Sequence, residues 1–262
     1  MSQSYTMADL RQIVERLRGK DGCPWDQVQT HASMRADVLE EAYELVDAID
    51  RNDIENLKEE LGDVLLHVVF HSSIEAQAGN FTLDDVIQGI CEKMIYRHPH
   101  VFGDVHADTP EQVLANWEVL KKKEKQMQTQ ASVLQSVPAA LPALTRAAKV
   151  QKKAANVGFD FPALSNAMQK VDEEWEELTQ AIAQNADNIE EEFGDILFSL
   201  VNVARFLKIN PEFSLTKATK KFINRFECVE NSALSEGKQL SEMTLEEMDL
   251  LWEKVKRTES ET

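Results

Sequence analysis

Apolar residues along the chain recur at the spacing of a helix rather than that of a strand. One such series has successive gaps of four, three, one and three residues, and comprises Val38, Ala42, Leu45, Val46 and Ile49. This spacing is typical of the buried face of an amphipathic helix. Few windows alternate with a period of two, and glycine and proline are sparse, at 9 and 7 residues. The pattern predicts an all-α protein.

The chain also repeats itself, and the matching segments come in the same order in both halves. The pairs are GCPWD with NVGFD, EEAYEL with EEWEEL, EELGD with EEFGD, KMIYR with KFINR, and NWEVLKKKE with LWEKVKRTE. The spacing is similar too, since 19 residues separate Glu41 from Glu60 and 18 separate Glu174 from Glu192. Repetition of this kind predicts the tandem duplication of a small helical domain.

The segment between the two copies, QMQTQASVLQSVPAALP at 126–142, is polar and then punctuated by proline, as linkers often are. We therefore expect an N-terminal domain at 1–127, a linker at 128–138 and a C-terminal domain at 139–262. Each half is about as small as a self-sufficient helical core becomes, so we expect pairing of the halves or dimerisation to complete the core.

Composition narrows the choice of partners and compartment. The chain has 46 acidic and 28 basic residues, a net charge of −18, which disfavours a nucleic-acid duplex as partner. It has no apolar run long enough for a membrane helix and no signal-peptide pattern at its N-terminus, so we expect a cytoplasmic protein without a membrane partner. Three scattered cysteines predict neither a disulfide nor a zinc site.

Acidic residues directly precede an apolar run at two places. EELGDVLLHVVF (59–70) and EEFGDILFSLVN (191–202) share six of twelve positions, including the acids and the glycine. A glycine inside a helix costs about 1 kcal/mol relative to alanine. We therefore expect Gly62 and Gly194 to permit close approach of a neighbouring helix or a ligand.

Acidic pairs spaced three residues apart lie on one face of a helix. In the first half the pairs are Glu41 with Glu44 and Glu60 with Asp63, and the DRND segment at 50–53 between them suits a turn. A helix, a turn and a second helix would bring the two pairs together across an antiparallel contact. The second half repeats the arrangement with Glu174, Glu177, Glu192 and Asp195.

Four carboxylates near an apolar interior require a neutralising partner. Ligation by oxygen alone suits a hard divalent ion, Mg²⁺ or Mn²⁺. The plain alternative is a solvated helix face, which an isolated EExxE usually indicates.

A di-iron carboxylate bundle is a competing metal hypothesis, but it uses Glu-x-x-His ligands, and both copies here have Asp at that position. His67 and His71 follow one and two turns after Asp63. Their counterparts, Ser199 and Val203, are not metal ligands, so we interpret the two histidines as local packing.

The motif EExxE, followed at a short interval by ExxD, resembles the MazG family of nucleoside triphosphate pyrophosphohydrolases. The resemblance covers nearly the whole chain, including the duplication and the segments GCPWD, RHPHVF and NVGFD. It implies a helical fold that dimerises and the Mg²⁺-dependent hydrolysis of (d)NTPs to a nucleoside monophosphate and pyrophosphate. Metal ions in such a site can activate water and stabilise the leaving pyrophosphate. The metal ligands implied in the second half are Glu174, Glu177, Glu192 and Asp195.

Residues beside these ligands also have candidate roles. Glu173 and Glu191, next to the ligands in the chain, are positioned to orient the water as a base or to support the ligands, or else they face solvent. Lys170, four residues before Glu174, is expected to add a positive charge near the phosphates, and its alternative is a solvated surface base.

Lys221 and Arg225, four residues apart on one helix face, resemble the family's phosphate-contacting pair; the alternative for each is a solvated surface base. Trp252 has two interpretations of equal weight, stacking on the nucleobase or packing in the core of a C-terminal helix.

Both acidic quartets are intact, so the motif alone does not identify the active half. Where the second half has Lys170, the first has Asp37, which would add repulsion where a triphosphate needs a cation. The resemblance likewise implies activity in the C-terminal domain, and we predict that the N-terminal domain is structural, regulatory or weakly active. Its counterpart residues define a second candidate site: Glu41, Glu44, Glu60, Asp63, Lys93, Arg97 and Trp117.

Two alternatives stay open from the sequence. One is a non-catalytic helical protein whose acids bind a structural cation or a basic partner, which would tolerate Asp195→Asn. The other is an enzyme specialised for dUTP-like, oxidised or alarmone nucleotides. The segment YRHPHVF (96–102) is predicted to mark a helix end, because proline restricts the residue before it.

Overall fold

The structure is a computed structural model that describes residues 4–124 and 129–260. All regular structure within these two ranges is helical, which confirms the predicted all-α class. None of the helices within them is long and apolar enough to cross a membrane. In chain order the helices are α1 (Met7–Arg18), α2 (Pro24–Val28), α3 (Arg35–Arg51), α4 (Ile54–Ala78), α5 (Leu83–Arg97), α6 (Pro99–Phe102), α7 (Pro110–Glu124), α8 (Gln130–Gln135), α9 (Ala143–Ala155), α10 (Leu164–Gln184), α11 (Ile189–Phe206), α12 (Pro211–Ser235) and α13 (Leu245–Ser260), with a 3₁₀ turn at Leu240–Glu242.

The chain forms two compact units, the first ending at Glu124 and the second containing the described residues from 129 onward. Each unit is built around a helical hairpin, α3 with α4 in unit 1 and α10 with α11 in unit 2. The two hairpins contain the repeated acidic motifs, so the tandem duplication predicted from sequence is present in the fold.

The described part of the predicted linker at 128–138 is packed against the second unit and is not an extended connection. It contains α8, which packs against α9. Val133 and Val137 are both buried, and this apolar burial makes the segment part of unit 2. Residues 125–128 lie outside the described residues, and the domain boundaries stay a prediction.

The connection inside each hairpin is short and begins with an asparagine. Asn52 ends α3 in the left-handed conformation at φ 54°, and Asn185 does the same after α10 at φ 49°. Asparagine adopts this conformation more readily than most residues. Asp53 then begins α4 by accepting a hydrogen bond from the backbone N–H of Asn56. The turn predicted at DRND is therefore confirmed.

The helix end predicted within YRHPHVF is also present. Helix α5 ends at Arg97, His98 follows outside helical geometry, and Pro99 begins α6. Proline is favoured at the first position of a helix because the missing N–H has no partner there.

Each unit has a small apolar core. Unit 1 packs Val14 of α1 against Val69 and Phe70 of α4, together with Met34 and Leu83. In unit 2 a cluster of buried residues joins α12 to α13 through Val229, Ala233 and Leu251. Many large apolar side chains remain exposed on α10 and α11, among them Trp175, Phe193, Leu197 and Leu200.

Candidate metal centre

Three carboxylates converge in unit 2 as the sequence predicted. Glu174 of α10 and Glu192 and Asp195 of α11 each offer an oxygen, and these oxygens all lie within 4.8 Å of one another. Glu174 is buried, Glu192 is half-buried and Asp195 is exposed, so the cluster opens from the hairpin towards solvent. Glu177 is not part of this three-oxygen group.

Unit 1 contains the same arrangement. Glu41 of α3 and Glu60 and Asp63 of α4 form a group with oxygens within 4.8 Å of one another, and Glu44 lies outside it. The hairpin turns therefore bring three members of each predicted quartet together. In both units the second glutamate of the ExxE pair is the member outside the group.

The carboxylates in each cluster disfavour one another's ionisation. The pKa of Glu192 is raised first by burial and then by the charges of Glu177, Asp195, Glu174 and Glu191. Glu177 is thus close enough to Glu192 to repel it electrostatically, although its oxygen lies outside the three-oxygen group.

The same causes act in unit 1. The pKa of Glu60 is raised by burial and then by Glu44, Glu41 and Asp63. The pKa of Glu41 is also raised, again by burial first. A divalent cation would relieve the repulsion in both clusters, and oxygen-only donor sets suit hard cations.

Lys170 distinguishes the two clusters. Its ammonium lies 2.7 Å from Glu174 Oε1 and 3.5 Å from a carboxylate oxygen of Glu173. The hydrogen bond to Glu174 is the main reason that the pKa of Lys170 is raised. The structure therefore pairs this lysine with a predicted metal ligand. The corresponding residue of unit 1 is Asp37, which has no positive charge to offer.

The two predicted catalytic residues are accessible to solvent. Glu173 and Glu191 are both exposed, next to Glu174 and Glu192 in the chain. They lie beside the cluster rather than within its three-oxygen group.

A cavity of about 550 Å³ adjoins the cluster in unit 2. Two of the clustered carboxylates, Glu174 and Asp195, belong to its wall together with Lys170. The remaining lining is largely apolar, with a few polar side chains: Leu134, Val150, Gln151, Ala154, Gly158, Phe159, Asp160, Phe161, Ala167, Phe198, Ser199, Asn202 and Arg205. A mostly apolar cavity with a few polar groups is typical of a small-molecule site.

An ion pair connects the NVGFD segment to α11 at the wall of this cavity. Arg205 contacts both carboxylate oxygens of Asp160, one of them at 3.0 Å, and also donates to Asn202 Oδ1 at 2.7 Å. Both side chains of the ion pair are more than two-thirds shielded from solvent. The sequence identified NVGFD as part of the repeat and of the family resemblance, but it assigned no role to Asp160, Asn202 or Arg205.

Gln151 of α9 is a further polar residue of the wall that the sequence did not single out. Its amide nitrogen donates to the backbone oxygen of Phe198 at 2.8 Å. Its Oε1 is buried and has no hydrogen-bond partner among the described residues. A buried acceptor left without a partner is costly, and a ligand in the cavity could satisfy it.

The other predicted phosphate and base contacts lie elsewhere in unit 2. Lys221 and Arg225 are on α12 and Trp252 is on α13. Trp252 packs against the buried cluster of α12 and α13, with the Phe222 ring 5.2 Å away and the Arg225 guanidinium 5.9 Å above its ring. These contacts match the core-packing interpretation of Trp252. Among the described residues, the cavity lining includes none of these three predicted contacts.

Their counterparts in unit 1 are engaged differently. Arg97 is buried and donates to Glu124 from two nitrogens, at 2.7 and 2.8 Å. Its guanidinium also lies 5.1 Å from the ring centre of Trp117. Arg97 is thus committed to contacts within unit 1, while Lys93 of the same helix is half-buried.

The two motif glycines have open surroundings. A Cβ built on Gly62 or Gly194 meets no described atom within 4 Å, apart from the chain neighbours and the helix's own nearby backbone. Among the described residues, no neighbouring helix approaches either glycine closely. Contact with a ligand or with a second copy of the chain remains open to these positions.

Fold and site together define a class of protein: a duplicated all-helical chain in which each helical hairpin presents a carboxylate cluster suited to a metal ion. The model of the MazG nucleotide pyrophosphohydrolase domain matches the chain twice, at residues 29–102 and 163–231. The chain belongs to the MazG family, whose domain is a hydrolase of phosphoric anhydride bonds in nucleotides.

Similar proteins include two that are named nucleoside triphosphate pyrophosphohydrolases. The Bacillus subtilis protein YabN is 51% identical over 257 residues, 97% of this chain, which spans only 52% of that relative's length. The MazG nucleoside triphosphate pyrophosphohydrolase/pyrophosphatase of Thermotoga maritima is 44% identical over 95% of this chain and 94% of its own. A nucleoside triphosphate pyrophosphohydrolase of Escherichia coli K12 is also 44% identical, over 94% of this chain and 95% of its own.

Proposed function

We propose that this chain is a metal-dependent nucleoside triphosphate pyrophosphohydrolase that converts (d)NTPs to (d)NMP and pyrophosphate. The observation that carries the proposal is the cavity of unit 2, whose wall includes Glu174 and Asp195 of the carboxylate cluster. A nucleoside in the cavity would place its phosphates beside the acids. The two full-length relatives named as pyrophosphohydrolases support the same reaction.

The donor set fits a hard cation, and we propose Mg²⁺, with Mn²⁺ as the alternative. Glu174, Glu192 and Asp195 would hold the ion, with Glu177 as a fourth ligand. The pKa of Glu192 is raised first by burial and then by these like charges, which a bound cation would offset. Such an ion supplies charge neutralisation on the phosphates and a more acidic bound water.

The protein's own side chains have separable tasks in this proposal. Lys170 holds Glu174 in place through their 2.7 Å ion pair and offsets part of the negative charge. Glu173 and Glu191, exposed beside the ligands, would orient the attacking water and accept its proton. The proposed phosphate contacts of Lys221 and Arg225 and the proposed base stacking of Trp252 are supported by the family resemblance alone.

We propose that unit 2 carries the activity and that unit 1 is structural or regulatory. Two differences support this assignment. Lys170 is replaced by Asp37 in unit 1, and Arg97 is committed to its ion pair with Glu124.

We further propose a homodimer. Trp175, Phe193, Leu197 and Leu200 are each between 41% and 63% exposed on the two helices that carry the acids. Apolar surface of this kind is usually covered by a partner, and the open surroundings of Gly194 on α11 would admit a second helix. The cytoplasm, which supplies nucleoside triphosphates, is the location we propose.

The test is product analysis of the purified chain with each dNTP and Mg²⁺, comparing wild type with Glu192→Gln and with the matched variant Glu60→Gln. We expect monophosphate and pyrophosphate from wild type, no turnover from Glu192→Gln and most of the activity from Glu60→Gln. Diphosphate and orthophosphate as products would overturn the reaction. Equal losses in the two variants would overturn the assignment to unit 2.

The same assay separates the alternatives that the sequence left open. A folded wild-type protein without activity on any nucleotide would favour a binding protein whose clusters hold a structural cation. Turnover confined to dUTP-like, oxidised or alarmone nucleotides would favour a specialised enzyme with the same site.

A further inference from the structure

Three histidines and a glutamate gather in unit 1, apart from the acidic cluster. His67, His71 and Glu75 follow one another at intervals of four on α4, and residues at this spacing share a helix face. His31 joins them from the segment between α2 and α3. Its ring stacks on His71 with 4.9 Å between ring centres, and the rings of His67 and His71 are 6.1 Å apart.

Hydrogen bonds connect three of these residues in a line. His31 Nε2 lies 2.5 Å from Glu75 Oε1, and His31 Nδ1 lies 2.7 Å from His71 Nδ1. An ionised carboxylate only accepts, so His31 Nε2–H donates to Glu75, and in the neutral ring Nδ1 accepts from His71 Nδ1–H. This line of donors leaves Nε2 of His71 with a lone pair.

The protonation states favour this arrangement at neutral pH. The pKa of Glu75 is lowered by its hydrogen bonds from Asn80 and His31, which keeps the carboxylate ionised. The pKa of His71 is lowered, first by burial and then by the neighbouring His31 and His67, which keeps its ring neutral. A neutral imidazole is the form that binds a metal ion.

His67 contributes a second imidazole. It is only 7% exposed, and its Nδ1 has no hydrogen-bond partner among the described residues. At the same place in unit 2, Ser199 is satisfied by donating to the backbone oxygen of Ile196. A buried ring nitrogen without a partner is costly unless something binds it.

A cavity of about 330 Å³ is available beside the two rings. His67 and His71 line it with Ser72 and five apolar residues, Val38, Val64, Val68, Phe81 and Val86. Imidazoles facing a mostly apolar cavity suit a borderline transition metal better than Mg²⁺, which prefers oxygen ligands.

We propose that His67 and His71 bind a divalent transition metal ion of the Zn²⁺ class in this cavity of unit 1. His31 and Glu75 act as positioning residues, because a metal-ligating histidine usually donates its other ring N–H to a supporting acceptor. Water or a further ligand completes the coordination. Both ligands lie on α4, and the two histidines are then more than the packing residues that the repeat indicated.

The experiment is calorimetric titration of the full chain with Zn²⁺ in excess Mg²⁺, which competes for the acidic clusters. The absorption spectrum of bound Co²⁺ serves as a second readout. We expect wild type to bind Zn²⁺, and the double variant of His67→Gln with His71→Gln to lose binding. The variant His31→Gln tests the positioning role without disturbing the core, because His31 is partly exposed. We expect it to bind Zn²⁺ about 10–100-fold more weakly than wild type.

Two matched controls locate the ion. The affinity for Zn²⁺ should be unchanged in His100→Gln, which alters a histidine outside the cluster. It should also be unchanged in Glu60→Gln, which alters the acidic cluster of the same unit. The proposal is overturned if wild type binds no Zn²⁺ under these conditions. It is equally overturned if the double histidine variant binds as wild type does, or if Glu60→Gln alone removes the binding.

Discussion

The ion pair between Asp160 and Arg205 is expected to hold the wall of the unit 2 cavity, and its strength can be measured. The side chains are 27% and 18% exposed, and the contact is made to both carboxylate oxygens. Hydrogen bonds to charged groups contribute about 1.5–3 kcal/mol when shielded, and exposed pairs contribute about 0–1 kcal/mol. For this partly shielded pair we expect a coupling energy of about 2 kcal/mol.

The assay is a double-mutant cycle with Asp160→Asn, Arg205→Gln and the combined variant. Urea unfolding is followed by tryptophan fluorescence in a background carrying Trp25→Phe and Trp117→Phe, so that the signal comes from unit 2. The cycle isolates the pair from other losses, including the hydrogen bond of Arg205 to Asn202.

A surface pair in the same unit provides the control. Lys256 and Glu253 are three residues apart on α13, and both are more than 40% exposed. Their coupling should be about 0.3–0.5 kcal/mol. A coupling between Asp160 and Arg205 no larger than this control would refute the reasoning, because it would mean that the pair is solvated and does not fix the cavity wall. If the wall is fixed by the pair, Asp160→Asn should also raise KM for a nucleotide more than it lowers kcat.

Two further predictions concern stability. A carboxyl group with a raised pKa in the folded state stabilises the protein fully below its unfolded pKa, and this contribution is lost as pH rises through the folded pKa. In metal-free protein, the melting temperature of Glu192→Gln relative to wild type should therefore rise with pH from about pH 4.5 upwards, so that the two proteins differ in slope. Thermal melts in a chelator across this range check the expectation, and an unchanged slope would contradict it. Glu124→Gln should destabilise unit 1 by about 1–2 kcal/mol, because it leaves the buried guanidinium of Arg97 without its carboxylate. Urea unfolding measures this loss of unfolding free energy. An unchanged free energy would show that water replaces the Glu124 carboxylate.

The fold and the acidic clusters were predictable because they depend on local rules. Helical periodicity places Glu60 and Asp63 on one face, and a short turn at Asn52 folds that face back onto Glu41. The repeat then predicts the same arrangement of carboxylates a second time, in unit 2.

Contacts between distant segments were not predictable in the same way. Asp160 reaches Arg205 across 45 residues, and His31 reaches His71 across 40, through irregular segments whose paths no periodicity describes. The role of the motif glycines was not predictable for a related reason. Helix propensity identifies Gly194 as unusual, but it does not say whether a helix, a ligand or a second copy of the chain would approach it.

The short connections that begin at Asn52 and Asn185 have a consequence for how the chain folds. Each joins helices adjacent in sequence, so the contacts of a hairpin are local, and local contacts form early. The carboxylates of each cluster therefore meet in the first compact species rather than at the end of folding. Repulsion between these carboxylates therefore opposes formation of the folding nucleus. Because a divalent cation would offset that repulsion, it would accelerate refolding as well as slow unfolding.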